Sequence, residues 1–221
     1  MPAAPLVVQA LARHFGRAEA VADVSLSVRP GEIVGFLGAN GAGKTTTLRC
    51  IAGLLLPHHG RIEVAGADLA REPRVAKARL GFVPDQPLLY ERLSAREFLA
   101  FVAALYDLPA DAAERRAEML LARLQLAPDA NRTIESYSLG MRQKTSIVAA
   151  LLHSPPLVLL DEPLNGLDPG SARGLKDLLR EHAAAGGGVL VSTHLLDVAE
   201  RLCDRVVILR AGRVVADGTL A

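Results

Sequence analysis

Gly38-Ala39-Asn40-Gly41-Ala42-Gly43-Lys44-Thr45 fits the pattern G-x-x-x-x-G-K-[ST], and its flanks decide how it is read. Before it, Ile33–Leu37 is a short apolar run that suits a strand. After it, Thr45–Leu55 has helical character and stops ahead of Pro57. A glycine-rich turn between strand and helix can curl until successive backbone N–H groups face one anion. The helix that follows presents its positive end to the same charge. On this reading Gly38, Ala39, Asn40, Gly41, Ala42 and Gly43 cradle the phosphates of a nucleotide, with Thr45 and Thr46 continuing the loop into the helix. Lys44 reaches the β- and γ-phosphates and is counted with the catalytic groups, while the Thr45 hydroxyl ligates Mg²⁺. The plainer alternative is an ordinary glycine-rich turn; the strand before and the helix after favour the phosphate loop.

A second stretch supplies the acids. Leu157-Val158-Leu159-Leu160-Asp161-Glu162 is wholly apolar up to its two carboxylates. Such a run suits a strand buried on both faces. It would deliver the acids to the strand's C-terminal edge, where open parallel sheets bind ligands. Asp161 is the expected Mg²⁺ ligand, directly or through water, and Glu162 the group that polarises an attacking water. Alone, this would be a strand end with solvated acids; the phosphate loop upstream changes that balance.

Between these anchors the pattern shifts. Leu6–Leu11, Val24–Val28, Arg61–Val64 and Leu80–Val83 read as further strands, with Pro30-Gly31 as a turn. From about 86 to 153 the chain reads as mainly helical. Ser94-Ala95-Arg96-Glu97 is a capping box opening an amphipathic run with Phe98, Phe101, Val102 and Leu105 on its apolar side. Asp111-Ala112-Ala113-Glu114 is a similar start signal before Met119, Leu120 and Leu124, and a third helix is expected from Ser138 to His153. Strands then alternate with helices again: helix 171–184, strand Val189–Ser192, helix 195–203, and strands Val206–Leu209 and Arg213–Ala216. That alternation predicts an α/β fold with a mainly parallel sheet.

Bulk properties exclude other classes. A net charge of +1 argues against a strongly electrostatic nucleic-acid binder, so no nucleic acid partner is expected. Cys50 and Cys203 lie far apart with no CxxC spacing, which suits buried thiols in a reducing compartment. Met1–Ala10 lacks the basic and apolar regions of a secretory leader, and the longest apolar runs are too short to span a bilayer.

Taken together in order, the segments resemble the ABC (ATP-binding cassette) ATPases over nearly the whole chain. Tyr137-Ser138-Leu139-Gly140-Met141-Arg142-Gln143-Lys144 is similar to the family's LSGGQ-type signature, keeping Ser138 and Gly140 and departing at Tyr137, Leu139 and Met141. Leu157–Glu162 resembles the Walker B segment, Asn165-Gly166-Leu167-Asp168 the D-loop, and His194 the switch histidine that would reach the γ-phosphate. Phe15 stands where the family places an aromatic that stacks on adenine; the plainer reading is core packing. After Val83-Pro84 the family usually has glutamine. Here Asp85 stands there and Gln86 follows, and either is a further candidate metal ligand beside Thr45 and Asp161.

The resemblance implies a P-loop NTPase core of ABC type with an N-terminal antiparallel β subdomain and an inserted α-helical lobe. The expected boundaries are residues 1–85 and 154–221 for the core and 86–153 for the lobe, within one domain of 221 residues. It implies an ATPase using ATP and Mg²⁺. Each motif occurs once, so two nucleotide-binding subunits, a homodimer or a pair of paralogues, would meet head to tail. Ser138, Gly140 and Met141 of one would then cap the ATP of the other. It implies an integral membrane permease as partner, docked near Asp85–Leu93, and a cytoplasmic chain peripheral to the inner face of the membrane. The wording from Leu160 to Pro169 is most similar to ATPases of ABC-2-type exporters, which often carry a further C-terminal tail; here the sequence ends at Ala221. The competing reading is a soluble ABC ATPase acting on ribosomes or DNA.

Overall fold

The computed structural model describes residues 3–219. The extreme ends, 1–2 and 220–221, on which the leader and tail expectations partly bear, lie outside the described residues.

β1 (Leu6–Phe15) and β2 (Ala18–Val28) form a hairpin, and β3 (Ile33–Leu37) leads through the glycine-rich loop into α1 (Lys44–Ile51). β4 (His59–Val64), β5 (Ala67–Asp68), α2 (Pro73–Ala78) and β6 (Leu80–Val83) follow. Three helices, α3 (Ala95–Leu105), α4 (Ala110–Arg123) and α5 (Leu139–Leu152), separate β6 from β7 (Leu157–Asp161). α6 (Pro169–Ala184), β8 (Gly188–Thr193), α7 (Leu196–Leu202), β9 (Arg205–Arg210) and β10 (Arg213–Thr219) complete the order.

The strands lie in the order β5-β4-β1-β2-β10-β9-β3-β8-β7-β6. From β9 to β6 every pairing is parallel. β1 pairs antiparallel with β2 and β4, β4 with β5, and β9 with β10. These are the expected parallel core and N-terminal antiparallel part, and they meet where β10 pairs with β2 at Arg213 and Asp23.

The continuous apolar runs have a direct cause. Every residue of β3, β7 and β8 is buried. On β7, Val158 and Leu160 pack with the helical lobe, while Leu157 and Leu159 pack with β1, β2 and α1 on the other face. β8 divides the same way, Val189 and Val191 against Leu190. With a core on both faces the strand interiors hold only apolar side chains and glycine, the polar Asp161, Ser192 and Thr193 coming at the carboxyl ends, and each buried Val, Leu, Ile or Phe contributes roughly 1.5–3 kcal/mol. The helical lobe shares its core with one face of the sheet, which fixes the lobe against the strand that carries Asp161.

Local chemistry explains where the reading was right and where it was not. Ser94 and Glu97 form the expected capping box: Glu97 N–H donates to Ser94 Oγ at 3.2 Å, and Ser94 N–H to Glu97 Oε2 at 2.8 Å. Phe98 is buried as expected, but Phe101 and Leu105 of the same stripe are exposed. Asp111 does not cap α4; Pro109 precedes the helix and Asp111 lies in its first turn, where its charge complements the helix dipole. α1 stops before Leu55 because Gly53, at φ +66°, closes it, with Leu54 N–H donating to Arg49 O and Gly53 N–H to Cys50 O. β5 and α2 carry too few apolar residues to show a period and were not anticipated. Cys50 is buried, whereas Cys203 is only half-buried.

His153, at the end of α5, stacks on Tyr106 with ring centroids 3.8 Å apart. Burial pushes its pKa from 6.5 down to about 4. The folded chain therefore takes up this proton less readily than the unfolded chain. The stability it contributes is complete above pH 6.5 and is lost as pH falls toward about 4. His153→Phe keeps a stacking ring without the titration. Its Tm should fall less between pH 7.5 and 4.5 than that of the wild type, as read by thermal unfolding. An equal fall would contradict the assignment.

Candidate active site

Parallel register gathers the functional segments. Leu37, the last residue of β3, pairs with Thr193, the last of β8; Asp161, the last of β7, pairs with Ser192; and Val83 pairs with Leu160. The segments that follow these strands, Gly38–Thr45, Glu162, His194 and Pro84–Gln86, therefore leave the sheet along one edge. That is the carboxyl edge, where α/β sheets bind ligands.

The glycine-rich loop is shaped by close approach. A Cβ on Gly43, at φ +107°, would lie 2.3 Å from Ala20 O, and one on Gly38 would lie 2.4 Å from Leu209 O. Only glycine fits at either point. Ala39, Asn40 and Gly41 are exposed, Ala42 is buried, and Gly38, Thr45 and Thr46 are half-buried. α1 begins at Gly43 without a side-chain cap and without an acid in its first turn. Ser94, Ser138 and Asp168 do cap α3, α5 and α6. The first N–H groups of α1 are thus left for an external acceptor, the arrangement that binds phosphate.

Lys44 is 7% exposed and folds back over its own loop, donating to Gly38 O at 2.6 Å and Ala39 O at 3.4 Å. Its Nζ is also 3.9 Å from Glu162 Oε1. The same oxygen lies 2.9 Å from His194 Nδ1. Three groups read separately in the sequence, Lys44, Glu162 and His194, therefore converge on one carboxylate oxygen. Glu162 holds φ +47°, a left-handed conformation uncommon for a side chain of this kind. Its N–H donates to Ser192 O at 3.1 Å, which fixes the turn.

Asp161 is 1% exposed, and Ser192 Oγ donates to its Oδ1. Its Oδ2 is buried with no hydrogen-bond partner. A buried, unsatisfied carboxylate oxygen is costly and calls for a cation or a cation-bound water. The sequence reading missed Ser192, whose only signal was its position immediately before Thr193-His194.

The remaining candidates lie around this edge. Phe15, at the end of β1, is 48% exposed, which rejects core packing; Arg13 covers its ring with the guanidinium carbon 4.9 Å from the centroid. Asp85 is half-exposed and its Oδ1 lies 3.7 Å from Arg49 Nη2 on α1, while Gln86 is exposed. Ser138 opens α5, exposed to solvent, and its Oγ accepts from Met141 N–H at 3.3 Å; Gly140 and Met141 are half-buried. Asp168 caps α6 by accepting from Ser171 N–H at 2.9 Å. Lys144, followed by the Ser171 N–H and hydroxyl, holds the Asp168 carboxyl far below the ordinary carboxylate range.

Comparison with known proteins agrees with this geometry. The sequence model of the ABC transporter family matches residues 21–165. The ABC-type transporter ATP-binding protein EcsA of Bacillus subtilis is 39% identical over 216 residues, covering 98% of this chain and 87% of the relative. The daunorubicin resistance ATP-binding protein DrrA3 of Streptomyces coeruleorubidus is 38% identical, covering 97% of this chain and 68% of the relative. Among solved structures, an ATP-binding subunit of an ABC transporter superposes with a TM-score of 0.92 at 41% identity, covering 97% of this chain and 90% of that one. The dimeric bacterial ABC transporter cassette MJ0796 superposes at 0.89 with 26% identity, covering 98% and 99%. The chain belongs to the ATP-binding proteins of the ABC transporter family and is an ATPase, converting ATP and water to ADP and phosphate.

Proposed function

We propose that this ATPase powers a membrane exporter by closing head to tail on a second nucleotide-binding subunit, with two ATP molecules between them. The observation that carries the reading is the meeting of Lys44 and His194 at Glu162 Oε1, on the edge that also bears the uncapped start of α1. ATP enters with its phosphates along Gly38–Thr46 and its adenine on Phe15. The γ-phosphate takes over the Lys44 ammonium from Gly38 O and Ala39 O. Glu162 then orients the attacking water and accepts its proton, and His194 holds Glu162 and faces the γ-phosphate.

Mg²⁺ fits the donor set at this edge: hard oxygens from the Thr45 hydroxyl and from Asp161, whose Oδ2 has no other partner, with Asp85 or Gln86 as a further donor. When bound, it would neutralise the phosphate charge that develops during transfer.

Ser138, Gly140 and Met141 stand at the exposed start of α5, on the helical lobe. A helix N-terminus there suits the γ-phosphate held by another chain. The dimeric state named for the MJ0796 cassette supports the pairing. No helix among the described residues is long and apolar enough to cross a membrane. In this reading a permease supplies the transport path. A groove of about 570 Å³ between Pro87–Glu91 and α3 exposes Leu88, Tyr90, Phe101 and Leu105, and offers that permease an apolar seat. The likeness to DrrA3, named for drug resistance, and the wording from Leu160 to Pro169 favour export.

Glu162→Gln should keep ATP binding, slow turnover by roughly 10²–10⁴-fold and accumulate an ATP-bound dimer on size exclusion. Wild-type turnover would remove Glu162 from the mechanism. Lys44→Ala should weaken ATP binding and abolish turnover; if both stay unchanged, the loop has been misread. Titrating Mg²⁺ against Asp85→Ala and Gln86→Ala identifies the further metal donor as the variant whose half-saturating Mg²⁺ rises. If neither responds, both are bystanders. Phe101→Asp should abolish copurification with an integral membrane protein while ATP binding persists; retained copurification would move the docking site elsewhere.

A further inference from the structure

We infer that Lys144 is a positioning residue that locks the signature end of α5 to the loop carrying Asp168. The carboxylate of Glu162 and the signature that the same chain offers to its partner then move as one body. This inference rests on the head-to-tail pairing proposed above.

The lock is built at an unusual place. Gln143, Lys144, Thr145 and Ser146 are four consecutive buried residues of α5, and all four are polar. A buried ammonium is costly unless it is paired and hydrogen-bonded. Lys144, 7% exposed, meets Asp168 Oδ2 at 2.8 Å. Asp168 is in turn pinned by Ser171, accepting from its N–H at 2.9 Å and its hydroxyl at 2.7 Å. A second contact lies one turn earlier. A Cβ on Gly140 would stand 2.2 Å from Gly166 O, so the signature backbone rests directly on the loop carbonyl.

The loop is short and internally bonded. Asn165 N–H donates to Glu162 O at 3.2 Å and Leu167 N–H to Leu164 O at 3.2 Å. Two overlapping backbone bonds thus brace the seven residues from Glu162 to Asp168, and Lys144 ties the end of that loop to α5. Arg142, two residues earlier, binds Tyr137 O, Glu135 O and Glu91, all outside this loop. Lys144 is the basic residue of the signature segment that faces the loop.

If one chain's Ser138 engages the partner's γ-phosphate, the displacement reaches that chain's own Glu162 through Lys144 and Asp168. Occupancy at one site then sets the geometry of the other, which appears as cooperativity between two ATP molecules.

The test is the ATP dependence of steady-state turnover by the full chain. Wild type should show a Hill coefficient approaching about 2, the number of sites in the pair. Lys144→Met, which keeps the stem and removes the charge, should bring it to about 1 and lower kcat by roughly 10–100-fold. Binding of a fluorescent ATP analogue to the monomer should change by less than about twofold, because α1 and the loop are untouched. Lys144→Arg should restore cooperativity. Asp168→Asn, which keeps the α6 cap but loses the charge partner, should reproduce the Lys144→Met pattern even if Lys144→Met fails to fold. A coefficient unchanged in the variants, or near 1 in the wild type, overturns the inference. If Glu162→Gln dimerises with ATP in either case, the pairing stands and only the lock is lost. If it does not dimerise, both fall.

Discussion

The site depends on one constraint: parallel pairing that ends β3, β7 and β8 at the same level. Leu37 opposite Thr193 and Asp161 opposite Ser192 leave no slack in the segments that follow. Glu162 must turn sharply to leave β7, and its left-handed backbone is the local cost of that turn. In return its carboxylate reaches both Lys44 from the first loop and His194 from the third. A one-residue slip of β7 would send every buried Leu and Val to the wrong core and carry Glu162 off the meeting point. The double-sided apolar packing therefore maintains the geometry of the candidate site as well as stability.

The same constraint explains why the edge is left open. Ser94, Ser138 and Asp168 close the starts of α3, α5 and α6, whereas α1, like α2, α4 and α7, has no side-chain cap, and Lys44 satisfies itself on loop carbonyls. In the proposed function those carbonyl bonds are exchanged for phosphate contacts. Asp161 keeps one oxygen unpaired in the interior beside them. Such groups are unfavourable in an isolated chain and become favourable once an anion and a cation arrive together. The helical lobe carries the signature-like segment at Ser138 yet shares its core with β7. Its position is thereby tied to the strand that delivers the acids.

Much of this was legible in the residues because each feature had a local cause. Ile33–Leu37 and Leu80–Val83 match their strands residue for residue, since burial on both faces leaves an uninterrupted apolar run. The Ser94–Glu97 cap and the α5 span from Ser138 to His153 follow from side chains acting on their own backbone. What was not legible depended on distant partners. Nothing in Asp85 foretells Arg49 beside it, and nothing in Phe15 foretells the Arg13 guanidinium over its ring. The exposure of Phe101 and Leu105 reflects how α3 lies on the lobe, which helical periodicity alone does not reveal. β5 and α2 were invisible because two strand residues and a six-residue helix carry no period.

The central claim is that water attacks only when a second chain covers the nucleotide held by the first. It is tested most directly by measuring ATP turnover per chain over a hundredfold range of protein concentration, with the mass of the species followed by light scattering. The account predicts that turnover per chain rises with concentration and levels off as dimers populate in ATP. Constant turnover per chain from particles that remain monomeric throughout would contradict it.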